Sequence, residues 1–104
     1  MPTPRDAMRQ ISPKLESLTE DVLFGDVWER PELSKRDRSL ITVAVLQALY
    51  RTGQLPGHLH RALDNGVTKE ELGELITHVA FYAGWPTAAN AVPIAKEVFD
   101  GRGS

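Results

Sequence analysis

Three histidines, His58, His60 and His78, are the side chains of this sequence whose ordinary titration falls near neutral pH, and no cysteine accompanies them. Without a thiol there is no thiolate nucleophile, no disulfide, no iron–sulfur site and no Cys-based zinc site. The HExxH zinc pattern is also absent. His58 and His60 stand two residues apart, which on a helix turns them to different sides, so they are not expected to chelate one metal. Chemistry in this chain therefore falls to imidazole, carboxylate, guanidinium and phenol groups.

Two arrangements could use them. Glu74, His78 and Tyr82 are spaced by four and share one helix stripe, where a carboxylate one turn before an imidazole can hold its N–H, as in a general acid or base pair. The plainer reading is a solvated Glu–His pair with Tyr82 in the core. His58 stands at the start of a helix just after a glycine-bearing loop, where the positive end of the helix dipole keeps an imidazole neutral and free N–H groups suit an anion. It reads equally as a plain helix-start residue. Arg30, Arg36, Arg38 and Arg51 bracket the most apolar helix, and Arg38, directly before that run, needs a carboxylate neighbour or an acidic ligand; Asp26, Glu29 and Asp37 are near enough in sequence to serve. Trp28 and Trp85 fit core or interface anchors more readily than stacking platforms.

The elements that must position these groups are helical. MPTPRDAMRQIS, residues 1–12, holds two prolines and little periodicity and reads as an extended arm. Ser12-Pro13 opens a short helix to about Phe24, and FGDVWERPEL is a linker anchored by Phe24 and Trp28. SKRD (34–37) has capping-box spacing before a helix to about Arg51, whose run from Leu40 to Leu49 is so apolar that it should be surrounded on all sides. HLHRALDNG is a shorter helix closed by Asn65-Gly66. TKEE (68–71) caps the next, through Leu72, Leu75, Ile76, Val79 and Ala80, with Ala83 also inward, to Gly84. A last helix from Pro86 or Thr87 to Phe99 turns Val92, Ala95, Val98 and Phe99 inward, and residues 101–104 are a frayed tail.

At 104 residues the chain fits one all-α domain spanning 1–104. A net charge of −2 gives no basic field for nucleic acid, and the longest apolar run is about half of a bilayer span, so neither nucleic acid nor membrane is an expected partner. The N-terminus carries no secretory pattern, and the expected location is cytoplasmic. Trp28, Phe81, Trp85 and Phe99 are more large apolar surface than a small core readily covers, which suggests association.

RDRSLITVA (36–44), the HL..AL.NGVT.EEL pattern from His58 to Leu72, and HVAFYAGWP followed by small residues and Asn90 together resemble the carboxymuconolactone decarboxylase family, from FGDVW onward. The resemblance implies an alkylhydroperoxidase D-like helical bundle of five to six helices, assembled as homotrimers or hexamers with active sites at or near subunit contacts. One branch decarboxylates 4-carboxymuconolactone without a cofactor in aromatic catabolism; the other reduces peroxide with a Glu, a Cys-x-x-Cys pair and a His. Laid over the second, the cysteines fall on Arg51 and Gln54, the histidine on His58 and the glutamate on Ser39, which excludes thiol peroxidase activity. Laid over the first, Arg38, Ser39, Arg51, Leu55 and His58 match, while Gln54 replaces a glutamate. A glutamine cannot shuttle a proton, so that task passes to His58 or His78.

The implied reading is a cofactor-free lyase acting on a small anionic lactone or oxo-acid. Arg38 and Arg51 hold the acid, Ser39 is a further substrate-binding residue, Gln54 orients the substrate, His58 or His78 carries the proton, and Trp28, Tyr82 and Trp85 line the substrate site and exclude water. The alternatives are an isomerase or proton-transfer enzyme on a related acid and a non-catalytic oligomeric module of the same fold, for which Gln54 and the missing cysteines count.

Overall fold

The computed structural model describes residues 3–102, and among them every regular element is helical. The chain forms two compact units, Met1–Lys35 and Arg36–Ser104. No helix among the described residues is long and apolar enough to cross a membrane.

In the first unit, α1 (Pro4–Ile11) occupies most of the segment expected to be extended. The correction has a local cause. Thr3 Oγ1 accepts from Asp6 N–H at 3.1 Å and Asp6 accepts from Thr3 N–H at 3.0 Å, a complete capping box, with Pro4 at the first helical position. No residue of α1 is buried; ion pairs of Arg5 with Glu16 and Glu20, and of Arg9 with Glu16, tie it to residues 16–20. Next come α2 (Pro13–Leu18), a π-helical stretch (Thr19–Phe24) and a 3₁₀ turn (Val27–Glu29). Trp28 is buried in that turn with its ring 5.9 Å from Phe24.

The second unit holds α3 (Lys35–Ala48), α4 (Leu55–Asp64), α5 (Lys69–Ala83) and α6 (Trp85–Gly101), around a core that includes Val43, Leu55, Leu59, Leu72, Ile76 and Ala95. Helix α3 is not surrounded on all sides. Ser39, Val43 and Gln47, one stripe at i, i+4, i+8, are buried, while Ile41, Val45 and Leu49, the stripe two residues on, remain 51%, 47% and 54% exposed. The neighbouring helices of the unit cover only one face. Val92 and Ala83, expected inward, are likewise exposed.

Polar ties fix α3. The Gln47 amide donates to Ile76 C=O of α5 at 3.1 Å and lies 3.5 Å from Thr87 Oγ1 of α6. Asn65 Nδ2 donates to Ser39 Oγ at 3.0 Å, and Arg36 donates to Glu71. Glu71 is also the third residue of the α5 capping box with Thr68, and its carboxyl is held below its ordinary range first by the Thr68 N–H and then by Arg36.

Helices α3 and α4 end alike. Arg51 N–H reaches Leu46 C=O at 2.8 Å and Tyr50 N–H reaches Gln47 C=O at 3.2 Å; Val67 N–H reaches Ala62 C=O at 3.0 Å and Gly66 N–H reaches Leu63 C=O at 3.2 Å. Both are Schellman closures, which require a left-handed residue. After α4 that residue is Gly66 (φ 95°), but after α3 it is Tyr50 (φ 57°), where a side chain costs about 1–2 kcal/mol. Gly66→Ala should therefore destabilise the protein by about 1 kcal/mol, whereas Tyr50→Gly should leave stability unchanged or raise it by up to about 1 kcal/mol. Urea midpoints at constant slope check both.

Candidate functional site

The α3–α4 connection carries three of the residues singled out from sequence. Arg51 comes directly after the left-handed Tyr50, Gln54 N–H closes back on Arg51 C=O at 3.2 Å, and α4 starts at once with Leu55 and Pro56. Leu55 and Leu59 are fully buried, and this fixes how α4 is rolled; His58, just before Leu59, is drawn half inside with Nδ1 closed off from solvent. Burial, and after it the positive charge of Arg61, push the His58 pKa below the ordinary 6.5 of an imidazole. Both causes favour the uncharged ring.

Of the other residues singled out, Arg38 is half-buried on α3, and Arg51 and Gln54 are exposed on the connection. Ser39 is buried, its hydroxyl engaged by Asn65 as a tie between α3 and the end of α4. Trp28 is buried in the first unit. Chain continuity brings Arg51, Gln54 and His58 into one turn and the helix start beyond it.

His78 belongs to a different surface. With Ala44, Val45, Ala48, Val79, Tyr82 and Ala83 it lines an apolar groove of about 420 Å³ between α3 and α5. A second groove of about 530 Å³ beside it shares Ala44, His78 and Val79 and adds Glu71 and Glu74. Neither is lined by His58, Arg38 or Arg51. The expected stripe on α5 forms in part: the His78 and Tyr82 rings lie 5.0 Å apart, but no hydrogen bond or ion pair joins the exposed Glu74 and His78. Tyr82 and Trp85 are 83% and 65% exposed, and Trp85 meets Phe81 edge-on at 5.7 Å. Within one chain these aromatics shield no water-free space.

Two features were missed from sequence. Gln47 is a fully buried amide whose signal was its position as the lone polar residue toward the end of LITVAVLQAL, and the groove floor was signalled by Ala44 and Ala48, small residues four apart. No group of three His, Asp or Glu side chains able to share a metal ion occurs among the described residues.

Comparison with known proteins finds similarity along most of the chain. The family model described as the carboxymuconolactone decarboxylase family matches residues 13–97. The 4-carboxymuconolactone decarboxylase of Acinetobacter baylyi is 51% identical over 76 residues, covering 73% of this chain and 57% of its own length. The nitrosuccinic acid decarboxylase of Metarhizium robertsii is 32% identical over 96 residues, covering 92% of this chain and 66% of its own. An uncharacterized 15.0 kDa protein of Paracoccus denitrificans is 28% identical over 95 residues, covering 89% of this chain and 71% of its own. The chain thus spans less than two thirds of the length of the first two relatives.

The state of His58 is directly measurable. In an NMR titration of the imidazole carbons its midpoint should fall below 6.5, and Arg61→Gln should raise it only part of the way back, since burial is the larger cause. Because the folded state resists protonation at His58, stability should be full above about pH 6.5 and decline as pH falls from there toward the lowered folded value, a slope that His58→Gln flattens.

Proposed function

We propose, from the premise that this chain belongs to the carboxymuconolactone decarboxylase family, that it removes carbon dioxide from a small organic acid without a cofactor. Two relatives are named as decarboxylases, of 4-carboxymuconolactone and of nitrosuccinic acid. In each of those acids the electron pair left by the departing carbon dioxide can spread into a group of the substrate itself, an unsaturated lactone or a nitro group. The protein then has two tasks: hold the anion and deliver a proton.

In this reading Arg38 and Arg51 bind the acid, a guanidinium being suited to a carboxylate in two-pronged fashion. Gln54 orients the substrate by hydrogen bonds and His58 moves the proton. The observation that carries the reading is the half-buried His58, its pKa lowered by burial, one turn after Gln54 and about two after Arg51. An anionic substrate beside that ring favours the imidazolium form, so binding draws a proton from water onto His58, which passes it to the carbanionic carbon as carbon dioxide leaves. A site that resists charge when empty and accepts it when an acid is bound does not need the glutamate that Gln54 replaces.

The groove of His78 and Tyr82 supports a second part of the proposal. Ile41, Val45 and Leu49 on α3 and Phe81, Tyr82 and Trp85 on the α5–α6 corner are exposed in a single chain. Apolar surface of this extent fits assembly with further copies, as trimer or hexamer, which would shield the site from water and strengthen its charge contacts. Light scattering at micromolar concentration should return a multiple of the monomer mass; a monomer would remove this part of the proposal.

The central test is incubation of the purified protein with 4-carboxymuconolactone, and separately with nitrosuccinate, following carbon dioxide release. The wild type should turn over one of them, His58→Ala should lose about 100-fold or more in kcat, and Arg51→Gln should raise KM more than it lowers kcat. No release from the wild type or from Gln54→Glu with either acid would leave a binding module with the family fold.

A further inference from the structure

Among the described residues Tyr50 alone is a non-glycine with a left-handed backbone (φ 57°), the conformation that Gly66 takes without a side chain in the same closure after α4. The corner is held from both sides. Tyr50 N–H donates to Gln47 C=O at 3.2 Å, and the buried Gln47 amide donates to Ile76 C=O of α5 at 3.1 Å, which pins the last turn of α3. Beyond it, Gln54 and Leu55 N–H both close on Arg51 C=O at 3.2 Å, and His58 N–H closes on Gln54 C=O at 3.3 Å. An unfavourable backbone that its surroundings over-determine in this way is characteristic of ligand sites.

Polar contacts within the chain do not account for the tyrosine. Its side chain is half exposed, and among the described residues no hydrogen bond engages its hydroxyl and no aromatic ring meets it. The covered part of the ring offsets some of the backbone cost, as an apolar side chain of that size would, and the hydroxyl adds nothing to that. What the phenol contributes therefore lies outside the chain, and the residue that follows it is Arg51.

We propose that Tyr50 is a substrate-binding residue of the His58 site and selects acids with two carboxylates: its phenol O–H donates to the carboxylate that stays with the product. This rests on the reading that Arg51, Gln54 and His58 receive a small organic acid. Both acids put forward in that reading carry two carboxyl groups, of which one leaves as carbon dioxide. A hydrogen bond from a phenol to the remaining carboxylate is charge-assisted, and a donor already fixed at its backbone loses little freedom in making it. An acid with one carboxylate leaves this donor without its acceptor.

The probe is succinate, a dicarboxylate with no group to take up a carbanion's electron pair, with butyrate as the monocarboxylate of equal chain length. Binding is read from the His58 ring carbons by NMR titration. Succinate should shift the wild-type ring saturably and bind more tightly than butyrate. Tyr50→Phe keeps the ring and should weaken succinate about tenfold and butyrate less than about twofold, with the urea midpoint unchanged. Tyr50→Gly should weaken succinate at least as much while its midpoint stays or rises, so that affinity falls without stability falling. Equal succinate affinity in wild type and Tyr50→Phe, with His58 shifting in both, overturns this inference and leaves the acid site standing. No shift of His58 in the wild type up to about 50 mM succinate overturns that reading of the site and this inference with it. Should Tyr50→Gly also lose mass in light scattering while Tyr50→Phe binds succinate as the wild type does, the ring belongs to a contact between copies and the inference fails.

Discussion

A histidine on a helix cannot choose its surroundings; they are set by how the helix is rolled. In α4 that roll is set by Leu55, Leu59 and Ala62, all buried against the core, and His58 is left with one ring nitrogen inside the protein. The resulting penalty on the charged imidazole is the constraint on which the site depends. Ten residues make a marginal helix by themselves, so its position is enforced from outside. The closure at Gly66 ends it, Asn65 ties it to Ser39 on α3, and Arg102 ties it to the end of α6. Each of these contacts holds His58 at its depth without touching it.

Helix α3 shows the same division between a face that positions and a face that waits. Its inner stripe of Ser39, Val43 and Gln47 combines two hydrogen-bonding side chains with one apolar one, and Gln47 reaches both α5 and α6. A polar residue there fixes which turn of α3 lies beside Ile76, whereas apolar packing alone would tolerate sliding by a turn. The outer stripe remains about half exposed, and burying the rest of its apolar surface would be favourable.

Much of this could be read in the residues. Thr68 and Glu71 announced the start of α5, Gly66 the closure of α4, and the spacing of Leu72, Leu75, Ile76 and Val79 the face of α5 that turns to the core. The motifs around His58 led to the family, and the family model covers them. What escaped notice depends on partners far along the chain. Helix α1 buries none of its residues and is held by ion pairs to Glu16 and Glu20. The uniform apolarity of α3 does not say which stripe meets its own chain, because burial is decided by helices later in the sequence. Glu74 and His78 have the right spacing to pair and do not, since spacing fixes neighbourhood but not side-chain direction. The Asp64–Arg102–His60 chain joins residues about forty positions apart, and no local pattern marks it.

The proposed chemistry rests on His58 being uncharged in the empty protein and gaining its proton when an acid binds. The most direct measurement is the His58 titration midpoint in the presence of a saturating, unreactive dicarboxylic acid, compared with the free protein. The expected result is a rise in the midpoint by about one unit or more, with one proton taken up per acid bound at neutral pH. An unchanged midpoint, or proton release on binding, would contradict it.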